Sequence, residues 1–136
     1  MKKQTRAGKS KPTDDKVMEQ IKAKWKLPKE YLKYLSGHPK SVYAEPEDEE
    51  FEIYVYGAND LIKAQEGYSY NPVKKADIED WNPNLVVIAD SDADPFCIDI
   101  SKKKSPIYYA QHGMGEWDFD EYCDSFASFL ELLGLD

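Results

Sequence analysis

Residues Trp81 to Leu133 read WNPNLVVIADSDADPFCIDISKKKSPIYYAQHGMGEWDFDEYCDSFASFLELL, and this stretch decides the fold. Leu85–Ala89 is a continuous apolar run, the pattern of a strand buried on both faces. The polar turn Asp90–Pro95 follows, and Phe96, Ile98 and Ile100 then alternate with Cys97 and Asp99 as a second strand. The SKKKSP segment predicts an exposed turn, and Ile107–Ala110 a third strand. After a His-Gly-Met-Gly loop, Asp118 or Asp120 is expected to cap a closing helix. Its buried stripe would be Tyr122, Phe126, Phe129, Leu130 and Leu133, with Gly134 as the stop.

Upstream the pattern is mostly helical. Asp14 or Asp15 caps a helix predicted to reach Lys26, with Val17, Met18, Ile21 and Trp25 on one stripe. Pro28 opens a second helix, Lys29 to Ser36, that presents Tyr31, Leu32 and Leu35 and stops at Gly37. Residues 44–50, AEPEDEE, read as an acidic loop. The strand Phe51–Tyr56 then sets Phe51, Ile53 and Val55 against Glu52, Tyr54 and Tyr56. A third helix is expected from Asn59 or Asp60 to Glu66, followed by a loop from Gly67 to Pro72 and a turn or short helix at Lys74–Asp80. Helices, then a meander of short strands, then a terminal helix predict an α+β fold, a mainly antiparallel sheet flanked by helices in a single domain. Residues 1–13 are expected to be a flexible basic tail, and 14–136 the domain.

The charge is unevenly spread. Residues 1–40 carry 12 Lys or Arg against 4 Asp or Glu, whereas residues 41–136 carry 6 against 22. The acidic body would repel phosphate, so direct binding of nucleic acid is not expected. A protein partner with a basic face is the better electrostatic match. No apolar run approaches the roughly 18 residues of a membrane span, so a membrane role is not expected. The basic start lacks the apolar core of a signal peptide, and Cys97 and Cys123 lack framework spacing. A cytoplasmic protein with two reduced thiols is the reading.

Several arrangements could carry chemistry, and each has a plainer explanation. Asp90-Ser91-Asp92-Ala93-Asp94 begins like a calcium loop, but Pro95 and Ser101 stand where that loop needs Gly and Glu, so no metal is expected. His38 and His112 are isolated, and neither cysteine has a cationic neighbour to lower its pKa. Glu116, Asp118, Asp120 and Glu121 could act as acid and base, but carboxylates before a helix are favoured by its dipole. Trp81 and Trp117 are expected to pack. Gly113-Met114-Gly115 is too short to cradle phosphate, and no cofactor is expected. The chain is expected to be no enzyme.

Five blocks carry a resemblance: Leu27–Leu35 (LP-x-x-Y-x-x-Y-L), Trp81–Ala89 (W-N-P-x-L-V-V-I-A), Asp94–Asp99 (D-P-F-x-I-D), Pro106–Gly113 (P-I-Y-Y…H-G) and Ser125–Leu130 (S-F-x-x-F-L). In this order they resemble the SUKH superfamily, the Smi/Knr-like domains. Gly37-His38-Pro39 departs from that family's Gly-rich turn, and Ala93 stands where the family often has Gly. The resemblance implies an α+β domain and, in bacterial members, an immunity protein that neutralises a cognate polymorphic toxin, often a nuclease, by stoichiometric binding. A regulatory or scaffolding adaptor, as in fungal members, is the alternative it implies. For either partner the expected contact residues are Glu45, Glu47, Asp48, Glu49 and Glu50 before the first strand and Asp90, Asp92 and Asp94 in the hairpin turn.

Overall fold

A computed structural model describes residues 11–46, 50–71, 73–78, 81–110 and 118–135. Helix α1 spans Asp15–Lys24, and the Asp14 carboxylate accepts the Lys16 N–H at 2.9 Å as its cap. Met18 and Ile21 are buried, with Val17 and Trp25 partly so, as the stripe requires. Just ahead of the helix, Thr13 is already anchored: its N–H reaches the Ser36 carbonyl at 2.8 Å and its hydroxyl donates to that of Leu35. Helix α2 spans Lys29–Gly37, with Pro28 as the residue before its first turn rather than inside it. Tyr31 and Tyr34 from α2 pack edge-on against Phe126, at 4.9 and 5.8 Å between ring centroids.

Six antiparallel strands form the sheet in the order β1-β2-β5-β6-β7-β8. They are β1 (Val42–Ala44), β2 (Ile53–Val55), β5 (Leu85–Ser91), β6 (Asp94–Asp99), β7 (Ile107–Tyr109) and β8 (Asp120–Cys123). Between β2 and β5 the chain inserts a short helix α3 (Ala58–Leu61), a 3-10 turn (Lys63–Gln65) and a small hairpin of β3 (Tyr70–Asn71) and β4 (Ala76–Asp77). Helix α4 (Phe126–Leu133) closes the fold, and its Phe129 lies 5.9 Å from Phe96 of β6. From Val86 through Ala89 every residue of β5 is fully buried, so the apolar run is a two-sided core strand. Each large side chain removed from water there contributes about 1.5–3 kcal/mol.

The structure corrects the sequence reading in five places, one of them the β3–β4 hairpin, which stands where the sequence reads as a loop and then a turn or short helix. The hairpin turn holds only Asp92 and Ala93, because β5 runs on to Ser91 and β6 begins at Asp94. Asp118 and Asp120 do not cap the last helix. Residues 120–123 form the edge strand β8, which takes Tyr122 and Cys123 out of the helix, and Ser125 is the cap, its hydroxyl accepting the Ser128 N–H at 3.1 Å. The third helix is broken into α3 and the 3-10 turn, and it starts behind Gly57. Strand β1 takes in Ala44, which reads as the start of the acidic loop, with Val42 and Tyr43, which the sequence leaves unassigned. Gly57 is required because a Cβ there would collide with the backbone of Pro39 and Lys40.

Strand β2 is too short to cover β5. Past Tyr56, whose N–H still reaches the Ile88 carbonyl at 3.0 Å, the chain leaves the sheet, and among the described residues the next peptide groups of β5 face no strand. Gln65, only 2% exposed, fills that gap as a substitute peptide. Its amide Nε2 donates to the Val87 carbonyl at 2.8 Å, and its Oε1 accepts the Val87 N–H at 3.1 Å. One turn away, Trp81 Nε1 donates to the Leu85 carbonyl at 2.8 Å. Both side chains therefore belong to the sheet, and Trp81 packs as expected.

Candidate partner-binding face

The antiparallel order places two of the acidic segments together. The connection between β1 and β2 and the β5–β6 turn both lie at one end of the sheet, since Ala44 pairs with Ile53, Tyr54 with Asp90, and Ser91 with Asp94. Tyr109 pairs with Asp120, which adds the start of β8 to the same end. Glu45, Glu50, Glu52, Asp92, Asp118 and Asp120 are all exposed there. Glu47, Asp48 and Glu49 lie outside the described residues.

The hairpin turn is built rigidly. Asp92 and Ala93 take φ of 49° and 70°, the left-handed pair that a two-residue hairpin with the sheet's own twist demands. Three tyrosine hydroxyls clamp it. Tyr56 donates to the Asp90 carboxylate, Tyr68 to the Ala93 carbonyl at 3.0 Å, and Tyr109 to the Asp94 carboxylate at 3.1 Å. Burial pushes the Tyr68 phenol up to about 12, helped by Asp90, Cys97 and Asp94. Burial, reinforced by the bond to Asp90, raises that of Tyr56 as well. Both hydroxyls therefore stay protonated, as donors, at neutral pH. Asp90 and Asp94 are half-buried anchors, which leaves Asp92 as the exposed carboxylate of the turn.

Beside the acids runs a row of tyrosines that the charge pattern did not single out. Tyr43 pairs across the sheet with Tyr54, and Tyr54 with Asp90. The Tyr43 and Tyr54 rings lie 4.7 Å apart at 45°, and Tyr54 meets Tyr56 edge-on at 5.7 Å. Tyr43 is 69% exposed. The alternation Glu52, Tyr54, Tyr56 was the available signal for two of them. Tyr43 carried no such signal, because its strand is only the three residues Val-Tyr-Ala.

The groups that might have done covalent chemistry are held in other ways. Burial pushes the Cys97 thiol well up, and burial with Asp124 and Glu121 pushes Cys123 up to about 11, so neither is a ready nucleophile. His38 stacks 4.0 Å from Tyr34 and gives its Nδ1 proton to the Tyr34 carbonyl at 2.8 Å. Asp99 is buried, and its Oδ1 accepts the Ser101 N–H at 2.9 Å and the Ser101 hydroxyl at 2.6 Å. His112 and Glu116 lie outside the described residues, as do Gly113, Met114, Gly115 and Trp117. Among the described residues no three His, Cys, Asp or Glu side chains are grouped as metal ligands, and no helix is long and apolar enough to cross a membrane.

The order of elements, the two-sided core strand and the terminal helix agree with the profile of the SMI1 / KNR4 family (SUKH-1), which matches residues 12–132. The chain belongs to that family. No curated protein matches the chain. In this SUKH-1 domain the opposite end of the sheet has the contrary charge. Lys102, Lys103 and Lys104 occupy the β6–β7 connection, and Lys103 and Lys104 share a groove of about 650 Å³ with Lys29, Glu30 and Asp124. Lys102 to Lys104 thus lie at the end of the strands opposite Glu45, Glu50 and Asp92, and the aromatic row lies at the end of these exposed carboxylates.

Proposed function

We propose that this SUKH-1 domain is an immunity protein, acting in the cytoplasm by occupying the basic working surface of a cognate toxin in a stoichiometric complex. A toxin that handles nucleic acid is the best fit, because its substrate cleft must be basic. The single observation that supports this reading most is the gathering of exposed carboxylates at one end of the sheet beside the exposed Tyr43 and the half-buried Tyr54. Complementary potential of this kind raises association rates by roughly 10- to 1,000-fold. Aromatic side chains are the usual anchors of a protein interface, since they bury large area at little conformational cost. On this reading the domain performs no bond-making step.

The test is co-expression. A toxin gene is expected beside this one, and the domain should rescue cells from that toxin and co-purify with it at 1:1. Equal killing with and without the domain, for every adjacent toxic reading frame, would end the immunity reading. Recovery of several weaker partners in place of a single 1:1 complex would favour a regulatory adaptor.

A further inference from the structure

We infer that the Tyr43–Tyr54 ring pair is a docking site for an arginine side chain of the protein partner. The inference deepens the immunity reading and takes from it the existence of a basic protein partner. Four features of the site point to a guanidinium. The two rings sit on neighbouring strands at 4.7 Å, and the Tyr43 ring is largely open to solvent. Among the described residues β1 is the last strand at its side of the sheet. Glu45 directly follows β1 and Glu52 directly precedes β2, each two residues from one of the rings, and both are exposed. Asp90 follows Tyr54 in the cross-strand row.

A flat cation resting on the rings would meet aromatic faces beneath it and carboxylates at its rim. Arginine suits this better than lysine, because a guanidinium stacks flat on a ring and still offers its N–H fork sideways to a carboxylate. Among the described residues the chain's own lysines take other rings, with Lys24 5.5 Å above Trp25 and Lys102 5.2 Å above Tyr108.

Two arms test the site. In the first, an eight-residue peptide alternating Arg and Gly, and its Lys counterpart, are titrated into the full chain and followed by two-dimensional NMR. The Arg peptide should bind more tightly and shift the amides of residues 42–45 and 52–55. Tyr43→Ala should weaken it about three- to fivefold, Tyr43→Phe should restore most of that loss, and the Lys peptide should change little. Equal binding of the two peptides, or an Arg peptide indifferent to Tyr43→Ala, would overturn the site. The second arm is the co-expression rescue. Undiminished protection by Tyr43→Ala combined with Tyr54→Ala would overturn the arginine site and leave the immunity reading standing. A wild-type chain that gives no rescue would remove the immunity reading, while the peptide titration would still decide the site.

Discussion

Strands β5 and β1 both carry backbone edges that no strand among the described residues covers, and the chain treats them in opposite ways. On β5 the edge is sealed from within, with Gln65 bonded to both peptide groups of Val87 and Trp81 to the carbonyl of Leu85. On β1 the outer edge stays at the surface beside an exposed tyrosine. On the proposed function, the difference separates what holds the domain together from what it would offer to a partner. Polar groups inside a core must be satisfied because leaving one unpaired is costly. At the surface water satisfies them, so an open edge costs little and remains accessible.

The contrast breaks down if the sealed edge proves dispensable. Gln65→Leu would leave the Val87 N–H and C=O buried without partners, at about 1–3 kcal/mol each, so a loss of about 2–6 kcal/mol is expected in urea denaturation. A loss below about 0.5 kcal/mol would show that Gln65 does not seal the strand. Trp81→Phe keeps most of the aromatic volume but removes the bond to Leu85, and should cost about 1–3 kcal/mol by the same measurement. At the hairpin, Ala93 stands at φ 70°, where a Cβ is strained. Ala93→Gly relieves that strain against some extra chain entropy, and should raise stability by about 0.5–1 kcal/mol, seen as a higher melting temperature. Tyr43→Ala completes the series at the open edge. It should change stability by less than about 0.5 kcal/mol, because this ring is mostly in water already.

The fold was legible where local pattern and tertiary role coincide. Leu85–Ala89 could only be a core strand, and the spacing of Phe126, Phe129 and Leu133 could only be one face of a helix. Legibility failed where a strand is defined by its neighbour. Asp120–Cys123 is polar and follows a run of carboxylates, so it reads as the start of a helix, and only pairing with β7 makes it β8. Val42–Ala44 is too short to show a period. Gln65 gave no signal at all, since a lone polar residue in a helical pattern reads as surface until the edge it fills is known. For the candidate site, the acids were visible as composition, and the topology brought Glu45, Glu50 and Asp92 to one end. What the sequence could not show is that Asp90 and Asp94 are tied down by tyrosine hydroxyls while Asp92 stands clear.

The central claim is that partner binding belongs to the acidic, tyrosine-bearing end of the sheet and not to the lysine-bearing one. On the proposed immunity function, protection against the cognate toxin should be measured for two charge reversals in the full chain. Glu45→Lys with Glu50→Lys and Asp92→Lys should abolish protection, whereas Lys102→Glu with Lys103→Glu and Lys104→Glu should retain it. Full protection by the first variant together with loss in the second would contradict the account.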